Sequence, residues 1–295
     1  MNIIYKFSIL SSFLGLWITS LLPEAFELIL GFILIFTFGM VHGSNDIMIV
    51  HKLSNKTNSS FFKILMTYLF VVTAAITIFY FIPVFALALF IIFSAYHFGE
   101  QHWEEVLSNL SPVLQKIFFF GYGLLILYMV FSFNSEAVIE IIHEITALKL
   151  KKIFAPQVTL TLFVILLLIT TYAINKKQIP VKSVLKEVFS LLVFAVIFNS
   201  SSLIWGFTIY FIFWHSIPSL LDQIRFIYGD LKKNSVLKYI KAALPYWLVS
   251  LVGIALLFLI FKDEKHFHSL FFAFIAAVTF PHAIVMLTMF SKKKS

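Results

Sequence analysis

The 295-residue chain contains no cysteine. That excludes disulfides, iron–sulfur clusters and any thiolate-bound metal, so a metal site here must be built from imidazole and oxygen donors. Charge is also scarce: Asp, Glu, Lys and Arg make up 12% of the residues, against about 25% in soluble domains. With 61% of residues hydrophobic, one water-exposed globule has too little polar side chain to cover its surface. Strict apolar/polar alternation is missing, which argues against a membrane β-barrel. So are internal repeats, low-complexity linkers and stretches long enough for a soluble domain.

What is present is a succession of apolar runs, each near the 20 or so residues needed to span a bilayer. Ten are readable, at 7–22, 26–50, 61–81, 83–99, 113–133, 157–174, 185–199, 201–221, 244–261 and 268–290. Backbone groups in hydrocarbon must pair within their own segment, so every run is expected to be helical. The reading is an all-α, polytopic membrane bundle of about ten helices, forming a single transmembrane catalytic domain over 1–295. Pro83 and Asn199-Ser200-Ser201-Ser202 mark two tight reversals, and merging either pair of neighbours would give nine. Stretches 134–156 and 222–243 read as the longest loops. The first run has only Lys6 before it and no small-residue cleavage site, and is read as a retained span rather than a signal peptide.

The net charge of +8 sits in short clusters between apolar runs. It points to topology and anionic lipid headgroups rather than to nucleic acid. With ten spans, Lys6, Lys52, Lys56, Lys63, Lys116, Lys176, Lys177, Lys182, Lys186, Arg225, Lys232, Lys233, Lys238, Lys241 and Lys292 to Lys294 share one side, 17 of the 22 basic residues. The positive-inside bias then places both termini in the cytoplasm of a multi-pass cell-membrane protein.

Nine histidines are present, and four lie inside apolar runs: His42, His97, His215 and His282. Ionisable groups in a membrane are costly and usually face a cavity or each other. All four fall on co-directional spans, in the cytoplasmic half of each; at 1.5 Å rise per residue, His42 and His282 lie about 12 Å from their span ends. Four imidazoles at similar depth are expected to converge, most simply on a metal such as Fe, Zn or Cu. Asp46 follows His42 by four residues, as Gln101 follows His97 and Ser219 follows His215, so each pair shares a helix face. Gly39, Gly43 and Gly99 are expected to permit close helix approach. His51, His143, His266 and His268 read as solvated surface. His102 stays ambiguous beside Trp103, which reads as a headgroup-belt residue. Phe, at 37 residues, supplies packing bulk and suits a long apolar substrate.

Four stretches, Gly39-Met-Val-His42-Gly-Ser-Asn-Asp46, Ser94-Ala-Tyr-His97-Phe-Gly-Glu, Trp214-His215-Ser-Ile-Pro218 and Phe280-Pro281-His282, occur in this order over nearly the whole chain. Together they resemble the Brp/Blh family, membrane β-carotene dioxygenases that form retinal. The resemblance implies cleavage of β-carotene at its central double bond by O2 on a histidine-bound ferrous ion, Fe(2+). It implies His42, His97 and His215 as ligands, Asp46 supporting His42, and His282 able to complete the set. One position departs from the family: Ser219 stands where a further histidine is expected, leaving His282 or His102 to fill the gap. A retinal-binding rhodopsin is a plausible functional partner on the same ground. From another class, the same residues read as the relay groups of a proton-coupled carrier without metal, although the broken-helix repeats of such carriers are missing. A desaturase-type di-iron enzyme would need His-x-x-x-His or His-x-x-His-His boxes, and the chain has none.

Overall fold

The computed structural model describes residues 3–21, 23–54, 61–151, 156–261 and 267–293. Leu22, His266, and Lys56, Lys152, Lys262, Lys265 and Lys294 of the charge count lie outside them. Among the described residues there is no strand, and helices account for most of the chain. In order they are α1 (Ile3–Thr19), α2 (Glu24–Leu34), α3 (Met40–Gly43), α4 (Asp46–Leu53), α5 (Phe61–Phe81), α6 (Pro83–Trp103), α7 (Pro112–Phe133), α8 (Ser135–Thr146), α9 (Pro156–Asn175), α10 (Val181–Asn199), α11 (Leu203–Tyr210), α12 (Ile217–Tyr228), α13 (Lys233–Phe261) and α14 (Phe267–Lys293). Two π-helical segments, Ile35–Gly39 and Phe211–Ser216, join α2 to α3 and α11 to α12.

Local sequence explains the boundaries. Helices α6, α7 and α9 each begin on a proline, whose fixed φ suits the first turn and whose missing N–H would be unpaired there anyway. Both expected reversals, at Pro83 and 199–202, are helix boundaries. Helix α12 stops at Gly229, whose φ of +84° is the left-handed conformation that a side chain disfavours.

Among the described residues, eight helices are long and apolar enough to cross a membrane. Of the ten expected spans, the two outside this set correspond to α1, which has 17 residues, and to α10, which carries Lys182, Lys186 and Glu187 in its first half. The stretch 134–156, read as a loop, contains α8. Glu136, Glu140 and Glu144 recur one turn apart beside Val138, Ile141 and Ile145, an amphipathic pattern too short to register as a span. Likewise α13 begins at Lys233, well before the apolar run at 244.

The chain divides into two compact units. The first comprises Met1–Gly31, Ile91–Glu140 and Leu148–Phe213; the second comprises Phe32–Phe90, Ile141–Ala147 and Trp214–Ser295. The core of the first is aromatic, with Phe118, Phe119 and Tyr122 of α7, Phe194 and Phe198 of α10, and Trp205 and Tyr210 of α11 all buried. Trp103, expected at the headgroup belt, is instead 2% exposed. It packs inside this core, with its ring centroid 4.8 Å from that of Phe118. The second unit buries Ile49 of α4 with Val285, Met286, Met289 and Phe290 of α14.

In each π segment one carbonyl is capped by a side chain from another helix. In the second unit Trp247 Nε1 donates to the carbonyl of Phe36 at 2.7 Å. In the first, Ser8 Oγ donates to the carbonyl of Phe213 at 2.6 Å. Phe213 needs that donor because the residue five places on is Pro218, which has no N–H to offer. Ser8→Ala is therefore expected to cost about 1 kcal/mol of stability, seen as a lower melting temperature of the detergent-purified protein.

Candidate metal centre

Three histidines of the second unit meet in its interior. His42 comes from α3, His215 from the second π segment and His282 from α14. One ring nitrogen from each lies within 4.8 Å of the others. The His42 ring stands edge-on to both neighbours, with centroids 4.7 Å from His282 and 5.4 Å from His215. All three are at most 5% exposed.

Irregular helix brings them together. A π turn inserts an extra residue and so rotates everything after it by about 100° relative to a regular helix. One π segment ends three residues before His42 and the other contains His215. Pro281, directly before His282 inside α14, has no N–H to give to that helix's hydrogen-bond ladder.

The hydrogen bonds sort the ring nitrogens. Nδ1 of His42 is bonded to the carbonyl of Gly39, one turn back. Nδ1 of His282 meets the Asp46 carboxylate, 2.9 Å from Oδ1 and 3.1 Å from Oδ2. On both rings the outer partner therefore sits on Nδ1, an arrangement that fixes tautomer and orientation. The resemblance assigns Asp46 to His42, but the structure places its carboxylate on His282. The reason is local: α3 ends at Gly43, Ser44 and Asn45 form a turn, and α4 starts at Asp46, so the four-residue spacing does not span one continuous helix.

Gly39 thus serves through its carbonyl. A Cβ on Gly43 would stand 3.6 Å from His282 Nδ1, so the bare backbone is where that ring lies. Ser219 is fully buried and accepts from Gln223 Nε2 at 3.2 Å. Gln223 Oε1 in turn accepts from Tyr239 Oη at 2.7 Å. Asp222 pairs with Arg225, 3.9 Å away.

His97 lies on α6 in the first unit and is not one of the three. It is 1% exposed, with Glu100 also buried and Gln101 partly so. His102, on the same helix, pairs through Nδ1 with Glu187 Oε2 at 3.0 Å. Tyr122 Oη donates to that same oxygen at 2.9 Å. Glu187 escaped the sequence reading, although a carboxylate inside an apolar run is signal enough to single it out. His51 and His143 are exposed, and for His268 only the backbone is described.

Membrane-length helices around a buried group of three imidazoles define a class: integral membrane proteins with a candidate metal centre. The model of one family, beta-carotene 15,15'-dioxygenase, matches residues 33–290. The chain belongs to this family, in agreement with the resemblance of its four histidine motifs, all of which fall within the match. Membership makes it a carotene dioxygenase in general activity, with a carotenoid and O2 as substrates, and points to a metal cofactor. No match was found among curated proteins or among solved structures.

Proposed function

We propose that the protein is a ferrous-iron enzyme of the cell membrane that cleaves β-carotene at its central double bond with O2, yielding two molecules of all-trans-retinal. The observation that carries this reading is the meeting of His42, His215 and His282 within 4.8 Å in a chain of the dioxygenase family. The donor set fits the metal. Neutral imidazoles suit iron, and a cysteine-free chain has no thiolate to divert the site toward other chemistry. His42, His215 and His282 would hold the ion; His97 remains a candidate ligand on the strength of its motif alone. Bound there with open positions, ferrous iron would supply O2 binding and activation.

The protein's own contribution is positional. Burial keeps bulk water from the three rings, and the Asp46 carboxylate and Gly39 carbonyl hold two of them in one tautomer. β-Carotene dissolves in hydrocarbon, so a centre within membrane-length helices meets its substrate without extracting it into water. The proposal includes about ten spans, both termini in the cytoplasm, contacts between basic clusters and anionic lipid, and the whole chain acting as one catalytic domain. It also includes a functional link to a retinal-binding rhodopsin that would consume the product.

Expression in cells that accumulate β-carotene is expected to bleach them and to give retinal by chromatography, with near-stoichiometric iron in the purified protein. Unchanged pigment with no retinal would refute the reaction. Retinal formed by protein carrying no metal would refute the iron.

A further inference from the structure

The Asp46 carboxylate has a second partner. Tyr68 Oη, from the middle of α5, donates to Asp46 Oδ2 at 3.1 Å. Asp46 is fully buried, and its side chain is short, so the direction of its two oxygens depends on what holds them. Tyr68 engages Oδ2, while His282 Nδ1 sits closest to Oδ1. Three helices, α5, α4 and α14, are thus tied into one line that ends at a ring of the histidine group.

We propose that Tyr68 is a positioning residue of the metal centre. Its hydroxyl orients the Asp46 carboxylate, which keeps the proton of His282 on Nδ1 and presents Nε2 toward His42 and His215. The inference rests on the metal reading given above, and adds a residue outside the four motifs. The physical reason is that a buried carboxylate with one donor removed turns to recover a hydrogen bond. Any such turn moves the acceptor that sets the ring of His282. Partners of this outer kind typically carry 10–100-fold in metal affinity.

The test uses the full-length protein in detergent, stripped of metal and titrated with Co2+, whose visible absorption reports both affinity and ligand geometry. Tyr68→Phe keeps the ring and removes only the hydroxyl. It should weaken Co2+ binding about tenfold and shift the absorption bands, while the metal-free protein melts within a degree or two of the parent. Asp46→Asn should weaken binding at least as much. Adding Tyr68→Phe to Asp46→Asn should cost nothing further, because the tyrosine acts through that carboxylate. Tyr80→Phe, on the same helix but exposed, should change nothing.

Tyr68→Phe with parental affinity and spectrum would overturn the proposal. So would additive losses in the double variant, or a fall in metal-free stability that accounts for the weaker binding. A parent protein that binds no Co2+ would sink the metal reading itself, and this inference with it. Normal parent binding with an indifferent Tyr68→Phe sinks only the inference.

Discussion

His42→Ala is expected to abolish retinal formation and to strip the protein of its metal. His42 is the central ring of the three, edge-on to His282 at 4.7 Å and to His215 at 5.4 Å. Its removal leaves two donors with a void between them in a site that admits little water. Loss of an outer partner typically costs 10–100-fold, so loss of a ligand should exceed about 100-fold in affinity and in product. The ring is buried, yet alanine leaves no charge and no stranded polar group of its own, so the helices should still assemble. Iron per protein by mass spectrometry, read beside retinal by chromatography, checks both halves. A His42→Ala protein with full iron and normal retinal would mean that the three rings are a hydrogen-bonding cluster and that the chemistry lies elsewhere.

Gly99→Ala should damage the fold itself. Helices α6 and α7 cross so closely in the first unit that a Cβ on Gly99 would lie 1.8 Å from the carbonyl oxygen of Phe119. The contact is reciprocal, since a Cβ on Gly123 would lie 1.8 Å from the carbonyl oxygen of Ala95. Both obstacles are backbone, so no side chain can rotate away and the helices must part. Overpacking of this kind costs about 3 kcal/mol or more, and in a bilayer, helix association depends on such close packing. Gly99→Ala and Gly123→Ala should each lower the melting temperature sharply, and together by less than the sum, because the first substitution already separates the helices. Gly253→Ala is the control: nothing lies within 4 Å of the added carbon, and alanine favours helix by about 1 kcal/mol over glycine. Equal effects at all three positions would show that glycine flexibility, not the α6–α7 contact, is what matters.

The two expectations differ in how visible their causes are in the chain. Gly99 is noticeable in the sequence as a glycine beside a membrane histidine, a pattern that suggests close packing. Tyr68 gives no such sign; it is one of 11 tyrosines in an ordinary apolar run. Its role comes only from Asp46 approaching it across helices. Trp103 illustrates the opposite failure. A tryptophan at the end of an apolar run reads as an interface anchor, but its surroundings are set by Phe118 and Tyr122 from another helix. Helix α8 carries no long apolar run to mark it, because its 12 residues are organised by face.

From sequence alone follow the helical class, the ends of most helices, the absence of sulfur ligands and the short roster of histidines able to form a centre. These follow from composition and spacing, because hydrocarbon forces every buried backbone to pair within its own helix. Tertiary structure alone decides which imidazoles meet, that the Asp46 carboxylate bonds His282, and that Tyr68 stands behind Asp46. Those pairings go with two π turns, the break at Ser44-Asn45 and the missing N–H at Pro281. A π turn rotates the helix face that follows it by a fraction of a turn, and an offset of one residue decides whether a side chain meets its partner or misses it.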